Sequence, residues 1–259
     1  MSAEVLLAKL LSIHLYEEYH RVLSYGQILS LTSTLPEADY VLIQKSKPWM
    51  EQFEALCEII DKPTTAKGLY AICKEWSRRF GTYTETKTES GYTKEEYTPK
   101  NPEQYLIVVL DHVKLLSVGT GHTSKQEIDE ACDYLIAFRN KCNFTINIVQ
   151  QFNRNYKSMD RRQSDNYLPS LEDLSDSSGP AQSAETVIAI YHPFREKRAK
   201  CEGYDIRQLR DRARSCIVLK NRFGMADKMT MNSFFGEVGI WRELPAPDKI
   251  NDYEPFIKL

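Results

Sequence analysis

Residues 106–110, "LIVVL", are five consecutive aliphatic positions, and the next residue is Asp111. A run this short, β-branched at Ile107, Val108 and Val109, reads as a strand of a parallel sheet buried on both faces. A Gly-rich loop (Gly119, Gly121) follows, and then Ile128, Ala131, Cys132, Leu135 and Phe138 recur on one helical face. A second strand comes next, "FTINIVQQ" at 144–151. Strand, helix and strand in succession commit this stretch to an α/β architecture. Asp111 then stands at the carboxyl end of its strand, where open α/β sheets bind ligands.

The rest of the chain is consistent with that class. Ser2 can cap an opening helix carrying Val5, Leu6, Leu10, Ile13 and Leu15, and a second helical stretch is expected around 36–60. A third helix starts at Thr64 or Thr65 and stops at Gly81. "TYTETKTESGYTKEEYTPK" (82–100) alternates Thr, Tyr and charge around a Ser-Gly turn, as a solvated β-hairpin inserted between helix and strand would. "SKQE" at 124–127 reads as a capping box. Two further strands are expected at 186–193 and 215–221, separated by a segment rich in Arg and Lys. The C-terminal part, with turns near Gly224 and Gly236, reads as antiparallel β-structure, and no internal repeat or domain boundary is evident.

Composition excludes little. A net charge of −2 names no partner, and no apolar run approaches the roughly 18 residues of a membrane span, so a soluble chain is expected. Glu4 and the lack of a basic leader argue against a secretory signal. The six cysteines include no CxxC and read as reduced core thiols of a cytoplasmic protein. The five histidines show no metal-ligand spacing, so no zinc site is expected.

Four stretches, beginning "MSAEVLLAKLL" (1–11), "LIVVLDHVKLL" (106–116), "INIVQQFNR" (146–154) and "DLSDSSGPAQ" (173–182) with "CIVLKNRFG" (216–224), resemble, in that order, the motor domain of the DnaB-type replicative helicases. "MSAEVLLAKLLSIHLYEEYHRVLSYGQ" is similar to the helix after that domain's second strand, and "LIVVLDHVKLL" to its Walker B strand. "INIVQQFNR" resembles the strand ending in Gln-Leu-Asn-Arg. "DLSDSSGPAQSAETVIAIY" and "CIVLKNRFG" resemble the DNA-facing loop with its strand, and the Lys-x-Arg-x-Gly turn that reaches a neighbouring subunit. The resemblance covers nearly the whole chain. It implies a RecA-like three-layer domain over 1–259, with a mostly parallel central sheet, antiparallel terminal hairpins, the hairpin insertion at 82–100 and DNA-facing loops at 155–185.

The same resemblance implies roles. Asp111 would hold magnesium through water beside a bound ATP, and Gln151 would sense the γ-phosphate. Lys220 and Arg222, on alternate residues, would act in trans on a neighbour's triphosphate, stabilising charge that develops during phosphoryl transfer. Single-stranded DNA would meet Arg154, Lys157, Arg161 and Arg162 on one loop, and Asp176, Ser177, Ser178 and Gly179 on the other. Ser175 stands where the family carries an Arg, so main-chain N–H groups would take more of that loop's phosphate contact. A hexamer follows from the family, and primase or a helicase loader are the other partners it suggests, in a bacterial or phage-infected cytoplasm.

A phosphate cradle of the form Gly-x4-Gly-Lys-Ser/Thr is missing. None of the 11 glycines is followed by lysine. On the resemblance, the first strand, the phosphate loop and the catalytic Glu would precede Met1, and this chain alone is expected to bind ATP poorly and not to hydrolyse it. Three readings stay open: part of a hexameric ATP-dependent helicase, a non-enzymatic single-stranded-DNA-binding or helicase-interacting protein derived from one, and a recombinase-type RecA-like ATPase.

Overall fold

The computed structural model describes residues 2–31, 33–87, 93–153, 167–174 and 179–259. The chain divides into two compact units: Met1–Lys62, Ile188–Val218 and Asp227–Leu259 form the first, and Pro63–Val187 and Leu219–Ala226 the second. The first unit is stitched from three separated segments, so no single change in composition along the sequence marks it.

The first unit opens with α1 (Ala3–Tyr19), capped as expected by Ser2, whose hydroxyl accepts from the Val5 N–H. Leu11, Leu15 and Leu23 are its buried centre, packed against Ile28, Leu42, Ile43 and Met50. These come from the single turn α2 (Tyr25–Ile28), from α3 (Glu37–Lys45) and from α4 (Lys47–Leu56). The one stretch expected around 36–60 is therefore two helices. Pro48 lies in the first turn of α4, the place a helix accepts a residue without an N–H. Asp39, 2% exposed, is clamped by two bonds from Arg21 at 2.6 and 2.9 Å. Those bonds hold its carboxyl below the usual carboxylate range.

The second unit begins with α5 (Ala66–Phe80), capped by Thr65. β1 (Gly81–Lys87) and β2 (Thr93–Pro99) pair antiparallel, β3 (Leu106–Leu110) follows, and α6 (Ser124–Cys142) leads to β4 (Phe144–Ile148). β3 and β4 pair in parallel, with Leu106 opposite Phe144 and Leu110 opposite Ile148. Leu69 and Cys73 of α5 join Ile128, Ala131, Leu135 and Phe138 of α6 in one core, and Leu106, Val108, Leu110, Ile146 and Ile148 lean on it. The other face of β3 departs from expectation. Ile107 and Val109 are 61% and 64% exposed, because the strand alternates and its ribbon is covered on one face only.

The hairpin is not merely solvated. Tyr83 and Tyr97 pack on the α5–α6 core, and the Tyr83 hydroxyl lies 2.6 Å from Ser77 Oγ and 3.2 Å from Cys142 Sγ. Tyr97 donates to the Ser77 carbonyl at 3.2 Å, and Lys74 sits 3.3 Å over the Tyr83 ring while pairing with Glu95. Burial, with the Cys142 contact, pushes the Tyr83 phenol well above its ordinary value. Tyr83→Phe is expected to cost about 1 kcal/mol, the net worth of a part-buried hydrogen bond, read as a lower urea midpoint at constant slope.

β5 (Thr186–Tyr191) and β8 (Ala213–Asn221) run from one unit into the other. Between them lies the two-residue pair β6 (Lys200–Cys201) and β7 (Tyr204–Asp205). β9 (Lys228–Phe235) and β10 (Ile240–Glu243) complete a four-stranded sheet of order β10-β9-β8-β5. β8, β9 and β10 are antiparallel neighbours, Ala213 facing Ser233 and Ile240 facing Phe235. The terminal antiparallel structure is thus as expected. The mostly parallel central sheet is seen in part: β3 and β4 pair in parallel, whereas β8, β9 and β10 are antiparallel because the short connections after β8 and β9 permit only antiparallel return. No helix among the described residues is long and apolar enough to cross a membrane.

Candidate functional site

The register of β3 and β4 decides what meets at their carboxyl ends. The Val149 N–H donates to the Leu110 carbonyl at 3.0 Å, and the Val113 N–H donates back to the Val149 carbonyl at 3.1 Å. Asp111, the first residue past β3, and Gln151, three past the end of β4, therefore open on the same rim. Both are exposed. The Asp111 carboxylate has no partner among the described residues, which suits a group that binds a hydrated cation. Its neighbour His112, joined to it through a cis peptide, buries an Nδ1 without a hydrogen-bond partner. No pattern in the sequence marks that nitrogen. One carboxylate fits one corner of a magnesium–triphosphate pair, but with no Gly-Lys in the sequence the residues present do not make a phosphate cradle.

Lys220 lies near the end of β8 and Arg222 just beyond it, in the turn. They are not presented alike. Lys220 Nζ donates to the carbonyls of Ala181 and Gln182, each at 2.9 Å, so it is tied to the short helix Gly179–Ser183. Burial, and then Arg222, push its pKa below the ordinary lysine value. Arg222 is anchored through its main chain, whose N–H donates to the Glu185 carbonyl at 2.9 Å, while its side chain is exposed with no hydrogen bond or ion pair among the described residues. Of the two, Arg222 is the cation free to reach outward.

Arg154, Lys157, Arg161, Arg162, Ser175, Asp176, Ser177 and Ser178 lie outside the described residues. The residues flanking both loops are described, and they meet. Phe152 bridges Leu174 antiparallel, and the Asn153 N–H donates to the Asp173 carbonyl at 2.8 Å. Gly179 begins its short helix against α6, where an added Cβ would stand 2.5 Å from Asp129 Oδ1, so the chain approaches closely there.

A second group of ionisable residues supports this rim. The capping box at the start of α6 sits one residue earlier than expected: Thr123 is the N-cap, accepting from the Gln126 N–H, and the Gln126 side chain accepts the Thr123 N–H. Both Thr123 and Ser124 can cap, so "TSKQE" supports two registers, and the tertiary contacts of Glu127 select one. Glu127, 2% exposed, accepts the Ala66 N–H at 2.6 Å and the Gly119 N–H at 3.0 Å, with His122 Nδ1 at 3.1 Å. The bonds from Ala66 and then Gly119 hold its carboxyl below the usual range. Glu130 completes a group whose ligand-type atoms lie within 4.8 Å of one another. The His122–Glu127–Glu130 group has the donors for a cation, but both Glu127 oxygens already accept main-chain N–H bonds, and its evident work is to pin the loop after β3 to α5 and α6.

A family model for the DnaB-like helicase C terminal domain matches residues 90–239, more than half of the chain. The solved structure of a DnaB-like replicative helicase, described with its interactions with primase, is similar at 15% identity and a TM-score of 0.65, over 95% of this chain and 50% of that one. A second solved structure, described as an ATPase domain, is similar at 15% identity and a TM-score of 0.67, over 95% of this chain and 72% of that one. This chain thus spans about half the length of the first of them. No curated protein matches the sequence. At such identity the structural likeness carries the fold, that of the helicase motor domain.

Proposed function

We propose that this chain, which belongs to the DnaB-like helicase C-terminal domain family, is part of a hexameric, ATP-dependent helicase that translocates on single-stranded DNA during replication. The observation that supports this most is the shared rim. Asp111 and Gln151 stand at adjacent parallel strand ends, and two residues beyond Gln151 the chain is tied to the base of the second candidate DNA loop. A shift at Gln151 would be carried through Phe152 and Asn153 to Leu174 and Asp173, which gives a short mechanical route from nucleotide state to DNA grip. Asp111 would orient a hydrated magnesium. Arg222 would extend into the next subunit's triphosphate, with Lys220 fixing the turn that carries it. ATP and magnesium are then cofactors of the assembled ring, with primase and a loader as partners of the complete cytoplasmic protein.

One sequence fact favours a second reading. Without a Gly-Lys pair the chain alone would bind without turnover, as a helicase-derived module that holds single-stranded DNA or docks on a helicase subunit. Translating the DNA upstream of the Met1 codon in all three frames separates the two. A Gly-x4-Gly-Lys-Ser/Thr segment followed by a strand ending in Glu is the expected result. Its absence there would end the ATPase reading and leave the binding module.

A further inference from the structure

In the first unit the loop after β5 and the segment leading into β8 enclose an open depression of about 830 Å³. It lies among residues that carry none of the helicase roles above. Arg195, Lys197, Arg198, Arg207 and Arg214 line it, against one carboxylate, Asp211. A chain with a net charge of −2 has thus gathered five cations around one concavity.

These cations are not used up by the fold. The side chains of Arg195 and Lys197 make no ion pair or hydrogen bond among the described residues, and both residues are exposed. Arg207 lies near Asp205, whose carboxylate is already engaged with the N–H groups of Arg207 and Gln208. Asp211 is drawn toward His192, 3.2 Å away. Arg214 donates to the Asp211 and Ala213 carbonyls, and Arg198 bonds Tyr191. The five cations thus outnumber the carboxylates beside them, Glu196, Asp205 and Asp211. Burial is the main reason that His192 and Arg214 both lie below their ordinary pKa values; neighbouring arginines add to it and Asp211 opposes it.

Arginine forks around a concavity match phosphate oxygens, and several of them match more than one phosphate. The volume is that of a nucleotide-sized ligand site. Phe194, 41% exposed on the same lining, offers a ring face on which a base can stack. We propose that this depression binds an anion of two or more linked phosphates, either a free inorganic oligophosphate or a nucleotide whose base lies on Phe194. Such a site is independent of the helicase reading, and its failure would leave that reading untouched.

The test is calorimetric titration of the 259-residue chain at low salt, free of magnesium, with inorganic tripolyphosphate, with ATP and with a thymidine oligonucleotide. One tripolyphosphate per chain is expected, weakened by added salt and roughly thirty-fold by the double change Arg195→Ala and Arg207→Ala. Both side chains are exposed, and Arg195→Gln alone gives a milder second variant should the pair fail to fold. ATP tighter than tripolyphosphate, with the excess lost in Phe194→Ala, identifies a nucleotide; equal affinities indifferent to Phe194→Ala identify a free oligophosphate. No binding of tripolyphosphate, or equal binding by wild type and a folded variant, overturns the proposal. So does binding of the oligonucleotide alone, which would assign the surface to a nucleic-acid strand.

Discussion

Glu127→Ala is expected to destabilise the chain by about 4 kcal/mol, read as a lower urea midpoint with an unchanged slope. The substitution removes an acceptor shared by two buried N–H donors from different parts of the chain, Ala66 and Gly119. Each orphaned donor costs roughly 1–3 kcal/mol, and the lost side chain leaves a void at the α5–α6 junction. Glu127→Gln keeps one acceptor oxygen but turns an amide donor toward the other N–H, so about half the loss is expected. His122→Ala should cost far less, because that ring is one-third exposed. The folded-state pKa of Glu127 lies below its unfolded value, so its contribution is present above the unfolded carboxylate range and is lost as pH falls through the folded pKa. The gap between wild type and Glu127→Gln should therefore narrow on acidification below about pH 4. A gap that stayed constant down to about pH 2 would mean that the carboxylate's charge contributes nothing.

In the complete ATPase to which the chain is proposed to belong, Arg222→Ala should lower DNA-stimulated turnover about a thousand-fold. The exposed guanidinium stands on a turn braced by the Glu185 carbonyl and by Lys220, so its loss removes transition-state charge stabilisation without disturbing the fold. Affinity for single-stranded DNA should hold within about two-fold, since no candidate DNA loop contains it. Mixing variant and wild-type subunits distinguishes action in trans from action in cis. If Arg222 serves a neighbour, turnover falls more steeply than the variant fraction wherever successive subunits must fire in order. Turnover that falls in strict proportion would remove the action in trans, and a loss below about ten-fold would remove Arg222 from the catalytic role.

Legibility from sequence followed the range of the forces involved. β3, β4 and α6 were readable because one residue period fixes each, and the core positions Ile128, Ala131, Leu135 and Phe138 are those the helical period marks. The place of Asp111 just past its strand was readable because a strand end is a local property, whereas β4 stops at Ile148, three residues short of the expected end at Gln151. The partner of Glu127 was not. Ala66 is 61 residues away, and no pattern within "TSKQE" says that the glutamate turns inward while Gln126 caps. Two faces of β3 were expected to be buried, but periodicity reports the strand and not how many layers cover it. The basic depression was visible only as a segment rich in Arg and Lys. Its concavity depends on a turn in which the Lys197 and Arg198 N–H groups bond the carbonyls of Phe194 and Pro193, and residue spacing does not encode that.

The open face of β3 carries a thermodynamic debt of its own. Ile107 and Val109 stand in water beside Tyr105, which is 59% exposed, and every such aliphatic group withholds about 1–2 kcal/mol of transfer free energy from the folded chain. Any surface that covers the ribbon will release that energy whatever its own sequence contributes. The strand therefore behaves as a reservoir of affinity without specificity. Selectivity for the right cover has to come from the polar positions between the aliphatic ones, Thr145 and Asn147 on β4, which set the cost of a poor fit.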